Sequence, residues 1–169
     1  MDYDVSNSPT DHHQLTSGAV AAKQTLGVER LEVLSDKGYY VEKDVSDCEE
    51  NNVTVFMPIP SVLNPYKSIG VPEPEFYSDQ FVYDAAKDVY VCPAGNVMPF
   101  WKRGGRGKGL EGRLFRTTFC ACCNVRSRCT RNNWGRYMFR GEYDGAVDRL
   151  RARLASFAGK EKVGLRKIG

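Results

Sequence analysis

Long apolar runs are absent from this sequence of 169 residues, and its first ten residues are polar and acidic. A membrane-spanning helix needs roughly 18 or more consecutive apolar residues, and a secretory signal needs a basic start followed by an apolar stretch. Both absences predict a cytoplasmic protein that does not bind membranes. Hydrophobic residues still make up 41% of the chain, which is enough for a packed core.

Histidine is also scarce, since the only two histidines are the neighbours His12 and His13. They adjoin a predicted helix start and lie far from the cysteines in sequence, so we do not expect them to bind a metal. Six cysteines in a reducing compartment are more typical of metal ligands or free thiols than of disulfides. The six are Cys48, Cys92, Cys120, Cys122, Cys123 and Cys129.

Four of these cysteines have a pattern that suggests a structural zinc site. Cys92 opens a Cys-Pro-Ala-Gly turn, Cys120 and Cys123 are spaced C-x2-C, and Cys129 follows after five intervening residues. Two thiolates at that spacing can hold one ion, and two more complete a tetrahedral set. Cys122 competes as a ligand. Reduced thiols without metal and an iron–sulfur cluster are the alternatives that the pattern leaves open.

Acidic residues are nearly missing from one region. Residues 102–140 contain eleven Lys or Arg and a single acid, Glu111, whereas residues 1–101 contain six Lys or Arg and sixteen acids. Aromatic residues are interleaved with these cations, as in proteins that contact phosphates and pack against bases. A solvated surface over a small aromatic core is the alternative. The cations that we predict to bind DNA are Lys102, Arg103, Arg106, Lys108, Arg113, Arg116, Arg131 and Arg136.

The first part of the chain has the periodicity of an α/β layer. Apolar spacing and turn residues predict a helix, a strand, a helix and a strand in that order, with the two strands forming a parallel pair. The predicted ranges are 12–26, 30–35, 41–51 and 53–57.

Beyond residue 57 the pattern changes. The proline-rich segment 58–74 predicts a linker or an extended surface segment, and residues 102–109 predict a flexible basic loop. A hairpin and two more strands are predicted at 80–83, 88–92, 113–118 and 136–140. A last helix is predicted over 143–157, with Val147, Leu150, Leu154 and Phe157 on its apolar face.

Asp36 is the strongest candidate for chemistry. It follows the apolar run 31–34 and precedes a Gly-Tyr-Tyr turn. A carboxylate at the C-terminal end of a buried strand stands at a sheet edge, where ligands and metal ions bind. A capping or turn aspartate is the equally acceptable alternative from the local pattern.

Several segments together resemble one family. The chain resembles the C-terminal half of a bacterial insertion-sequence transposase of the DDE type, and the resemblance covers nearly all of its length. The segments that carry it, together with the arginine-rich helix near the end, are residues 5–15, 34–40, 48–51, 90–95, 120–123 and 128–130.

The resemblance implies a partial ribonuclease H-like α/β fold, a cysteine-containing and mostly β insertion, and a C-terminal helix. Their ranges are 1–70, 71–141 and 142–169. It also implies that two aspartates and a glutamate hold two Mg²⁺ ions for phosphoryl transfer on DNA. Asp36 matches the second aspartate of that triad, whereas Asp11 matches a position outside it and is given only a helix-capping role.

The other two carboxylates of the triad have no match here. By the resemblance, the first aspartate lies upstream of residue 1, and the glutamate lies just beyond a pair resembling Arg166-Lys167. We therefore expect a transposase fragment that is catalytically incomplete by itself and at most binds DNA. The expected partners are DNA, transposase subunits or further copies of the chain, in a bacterial cytoplasm and on the nucleoid when DNA is bound.

Two alternatives to this function remain open. One is an enzyme half that acts in trans with an upstream fragment. The other is an unrelated zinc-ribbon-like module that binds nucleic acid.

Overall fold

The computed structural model describes residues 13–60, 72–105 and 111–165, which divide between two compact units. The chain passes from the first unit to the second after residue 60 and returns to the first after residue 142. Together they make a mixed α/β protein, and the last two helices belong to the first unit. The functional roles expected for the parts 1–70, 71–141 and 142–169 stay predictions.

The first unit begins with helix α1 (Leu15–Leu26), strand β1 (Leu31–Leu34), helix α2 (Glu42–Glu50) and strand β2 (Val53–Phe56). The two strands are parallel, with Leu31 opposite Val53, which confirms the predicted pair. Gly27 ends α1 in the left-handed conformation that glycine adopts readily, at φ 64°. Local periodicity therefore placed these four elements to within a few residues.

The last helix of the sequence prediction is two helices in the structure. Helix α4 covers Asp144–Ala155 and helix α5 covers Phe157–Leu165. Ser156 between them is extended, and its hydroxyl accepts the Gly159 N–H at 3.1 Å. Phe157 is consequently 85% exposed, so its predicted place on the apolar face is wrong.

The core of the first unit is aliphatic. It lies where α1, α2 and α4 pack with β2, and the residues at its centre are fully enclosed. Burial of such side chains contributes roughly 1.5–3 kcal/mol each. The enclosed set includes Val45, Cys48, Val53, Val55, Met57 and Leu150.

The second unit is built on a five-stranded antiparallel sheet in the order β3-β4-β5-β6-β7. A short helix, α3 (Arg126–Cys129), precedes the last strand. The strands, which include the predicted hairpin β3–β4, are β3 (Val82–Asp84), β4 (Val89–Val91), β5 (Val97–Gly105), β6 (Glu111–Arg116) and β7 (Tyr137–Gly141).

Two predictions for irregular segments need correction. Residues 102–105 belong to β5 and are not part of a loop, because Gly104 and Gly105 pair with Gly112 and Glu111 of β6. The predicted linker 58–74 ends in a 3-10 turn at Pro74–Phe76, where Phe76 is buried at 4% exposure. Residues 61–71 and 106–110 lie outside the described residues.

Candidate functional site

Asp36 stands at the C-terminal edge of the parallel pair. The backbone N–H of Ser35 still donates to the Phe56 carbonyl at 3.1 Å, so Asp36 is the first residue past the pairing. Its side chain is exposed, and Oδ1 accepts the Lys37 N–H at 2.6 Å to begin the 3-10 turn Lys37–Tyr39. Asp36 therefore has both the sheet-edge position and the turn-capping role that the sequence left open.

The surroundings of Asp36 do not fit a two-metal centre. Within residues 13–60, 72–105 and 111–165, no three His, Cys, Asp or Glu side chains are arranged to hold a metal ion. Two divalent ions about 3.5–4 Å apart need several carboxylates between them. The described residues therefore do not form a two-metal catalytic centre around Asp36. Asp11, His12 and the pair 166–167 lie outside the described residues.

An aromatic and cationic surface covers one face of the second unit's sheet. It comprises Trp101, Lys102, Arg116, Trp134 and Tyr137, and we call it the Trp–Arg face. Arg116 lies 5.1 Å from the Trp101 ring centroid and 6.0 Å from that of Trp134, and the Lys102 ammonium is 4.3 Å from Trp101. Trp101 is 47% exposed and Trp134 is 75% exposed, so both rings remain accessible.

Strand register explains why these residues share a face. Arg116 pairs with Tyr137 across β6 and β7, and cross-strand partners point to the same side of a sheet. Leu114 lies two residues before Arg116 and pairs with Lys102, which puts Lys102 on that side as well. The register shifts between Phe100 and Lys102, and Trp101 occupies this irregularity beside Lys102.

The other predicted DNA-binding cations divide into three groups. Arg103 and Arg131 are exposed. Arg113 forms an ion pair with Asp88, and Arg136 lies 5.4 Å from the Phe81 ring with its Nε buried. Arg106 and Lys108 are outside the described residues.

The Asp88–Arg113 pair belongs to a network on the opposite face of the sheet. Asp88 also accepts the Tyr83 hydroxyl at 2.6 Å, and Arg140 lies 3.7 Å from the Tyr83 ring centroid. Arg113, and then the Tyr83 hydroxyl, lower the pKa of Asp88 below its ordinary value of 3.8. This network could not be predicted from the sequence, because Arg113 and Arg140 lie on strands that only the fold brings next to Tyr83 and Asp88.

The four candidate zinc ligands line one small cavity in the second unit, of about 20 Å³. Cys92 lies in the turn after β4, Cys120 in the 3-10 turn Thr118–Ala121, Cys123 just beyond it, and Cys129 at the end of α3. The Asn96 amide reaches the Cys92 sulfur at 3.8 Å. The structure thus gathers the four residues that the spacing selects.

The thiols outside and inside this cavity differ in their surroundings. Burial is the main reason why the pKa of the Cys129 thiol is raised to about 11; Arg136 acts to lower it, and the nearby Cys120, Cys92 and Cys123 thiols act to raise it. Cys122 does not line the cavity, and its thiol instead donates to the Phe119 carbonyl at 3.5 Å. In the first unit Cys48 is fully buried, and burial raises its pKa too.

Comparison with known proteins gives one match. Residues 91–169 match the transposase DDE domain family. No curated protein and no solved structure matches the chain. The matched region contains the Trp–Arg face, the four cysteines and helices α4 and α5, whereas Asp36 precedes it.

The family match has limited consequences for partners and cofactors. It implies action on DNA and use of a divalent metal such as Mg²⁺. No helix in the described part of the chain is long and apolar enough to cross a membrane. The similarity to the transposase DDE domain family is confined to residues 91–169.

Proposed function

We propose that this chain is a DNA-binding part of a DDE transposase and that the Trp–Arg face makes the DNA contact. The observation that carries the proposal is the arrangement of Arg116 between two exposed tryptophan rings. Exposed rings can stack on bases or pack on sugars, and neighbouring cations neutralise phosphates. The second unit therefore offers both kinds of contact on one surface.

The charge of the second unit supports the same proposal. Lys102 of the Trp–Arg face is exposed, whereas Arg113 on the opposite face is bound by Asp88. Residues 102–140 contain only one acidic side chain, Glu111, to repel a phosphate. A strongly basic surface with few acids attracts nucleic acid over several ångströms.

For the first unit we propose a partial ribonuclease H-like sheet, with Asp36 as the second aspartate of the triad. The parallel pair and the position of Asp36 just past β1 support this assignment. Because a two-metal centre needs further carboxylates, we propose that the chain by itself is inactive in DNA cleavage and strand transfer.

DNA binding can be tested by fluorescence anisotropy with labelled single-stranded and duplex DNA between 50 and 200 mM salt. We expect affinity to fall steeply as salt rises, because binding releases counterions. Arg116→Gln should weaken binding and reduce the salt slope by about one. Trp101→Ala and Trp134→Ala should each weaken single-strand binding by roughly 5- to 150-fold, since base stacking contributes about 1–3 kcal/mol.

The matched control is Lys87→Gln. Lys87 is an exposed cation of the same unit that pairs with Asp84 and lies outside the Trp–Arg face. Its replacement should leave affinity within about twofold, as expected for a cation without a phosphate contact. Binding that is absent or independent of salt, or an equal loss in Lys87→Gln, would contradict the proposed interface.

Catalysis needs a separate assay on supercoiled plasmid with Mg²⁺. We expect no nicking by the wild-type chain. Nicking that Asp36→Asn abolishes would show an active centre and would overturn the proposal of inactivity. The asparagine keeps a side-chain oxygen for the Lys37 N–H, so the variant separates chemistry from turn capping.

A further inference from the structure

Four cysteines line one cavity of the second unit, of about 20 Å³. Cys92, Cys120, Cys123 and Cys129 come from three separate segments and share this lining with eleven other residues. That space is roughly the size needed for one water molecule.

An unsatisfied polar group beside the cavity is an independent observation. The Nε atom of Arg136 is buried and has no hydrogen-bond partner, and Arg136 is one of the residues that line the cavity. Leaving a buried donor without a hydrogen-bond partner is unfavourable. An ion held by four thiolates has a net negative charge, which a buried guanidinium N–H can stabilise by donating to sulfur.

The sulfur atoms of the four cysteines do not lie where they could all bind one ion. No three His, Cys, Asp or Glu side chains in the described ranges are arranged to hold a metal ion. Binding therefore requires the thiols to rotate towards the cavity until each lies about 2.3 Å from the ion. Each cysteine has a single χ angle that moves its sulfur.

We propose that Cys92, Cys120, Cys123 and Cys129 bind one Zn²⁺ as a tetrahedral tetrathiolate, with Arg136 as the second-layer donor. Four thiols each release a proton to solvent and each form one Zn–S bond, and no oxidation occurs. Soft thiolate ligands favour Zn²⁺ over the hard Mg²⁺ ion. Cys122 is not a ligand, because it lies outside the lining and is bound to the Phe119 carbonyl.

Metal titration of the full chain tests this site. Protein freed of metal under reducing conditions is titrated with Zn²⁺, and bound metal is counted by mass spectrometry. The same titration with Co²⁺ reports tetrahedral thiolate coordination through its visible absorption. We expect one ion per chain in the wild type and in Cys122→Ser, whereas Cys120→Ser and Cys129→Ser should bind at least about 10-fold more weakly.

The comparison between Cys120→Ser and Cys122→Ser is the decisive control, because the two residues are two positions apart and only one lines the cavity. Equal losses in both variants, or a wild type that stays folded and binds no Zn²⁺, would overturn the proposal. If a variant fails to fold, the wild type alone still decides: its stoichiometry should be one and its melting temperature should rise with Zn²⁺.

Discussion

In the first unit, the guanidinium groups of Arg149 and Arg153 both bind the carboxylate of Glu49, at distances of 2.6–2.8 Å. In the second unit, Arg116 instead lies between the exposed rings of Trp101 and Trp134. Both regions are rich in arginine, but Arg149 and Arg153 bind a carboxylate, whereas Arg116 lies beside accessible aromatic surface. A basic sequence therefore indicates a DNA contact only where the fold leaves the cations available.

The two units also differ in the side chains that form their cores. The first unit buries aliphatic side chains between helices and a parallel pair. The second unit buries aromatic rings against one face of its sheet, with Phe115 at the centre. Aromatic rings can pack with guanidinium groups as well as with each other, so cations can lie close to this core without a carboxylate partner.

The largest expected effect comes from removing the centre of the aromatic core. Phe115 is fully buried, and the rings of Tyr83, Tyr90 and Phe100 lie 5.9, 5.2 and 6.0 Å from it. Phe115→Ala should lower the free energy of unfolding by about 3–5 kcal/mol, because it removes a large side chain and leaves a cavity. Urea unfolding followed by circular dichroism measures this loss.

The control for that prediction is Phe119→Ala in the same unit. Phe119 is 61% exposed, so its replacement should change the free energy of unfolding by about 0.5 kcal/mol or less. A loss as large as that of Phe115→Ala would mean that the second unit is not held together by the buried aromatic cluster. The contrast between the two cores would then fail.

Local patterns were sufficient for the first four elements of the first unit, although they missed the break between α4 and α5. The apolar spacing around Leu15 and Ala19 and the stop at Gly27 depend only on neighbouring residues, so they can be read from sequence. The end of β5 could not be read in this way. Glycines 104 and 105 are typical of a loop, and only pairing with β6 makes them a strand.

The candidate sites, too, could be predicted from local sequence only in part. Spacing selects the four cysteines, and the structure places them around one cavity, although metal binding there stays a prediction. The sequence does not show that Arg136 lies beside them or that Asp88 binds Arg113, 25 residues away. These contacts depend on strand order, which local periodicity does not determine.

An intermediate loss of stability is expected when the ion pairs of Arg149 and Arg153 with Glu49 are weakened in the first unit. Glu49 is largely buried, with 18% of its side chain exposed, and it joins α2 to α4 through Arg149 and Arg153. Glu49→Gln should lower the free energy of unfolding by about 1–3 kcal/mol, because it weakens hydrogen bonds to charged groups. Thermal and urea unfolding of the variant provide the measurement.

Asp148→Asn is the matched control on α4. Asp148 pairs with Arg151 three residues away at 3.4 Å, and both side chains are substantially exposed. Such exposed pairs contribute about 0–1 kcal/mol, so this variant should unfold close to the wild type. If its free energy of unfolding falls as much as that of Glu49→Gln, the ion pairs between α2 and α4 stabilise the first unit no more than an exposed pair does. The contrast in the use of arginine would then be wrong.

The smallest expected effect is a pH dependence in the second unit. Arg113 and Tyr83 lower the pKa of Asp88 in the folded protein below 3.8, so the ionised form favours folding. Its contribution is fully present above about pH 4 and is lost as the pH falls through the lowered pKa. The difference in melting temperature between wild type and Asp88→Asn should therefore shrink in acid. Arg113→Gln removes the main cause of the lowered pKa, so in that background the contribution of Asp88 should be smaller and its loss should be complete at a higher pH. If the acid profile of Arg113→Gln equals that of the wild type, Arg113 does not form an effective ion pair with Asp88. Its charge would then be available for DNA, as proposed for Arg116.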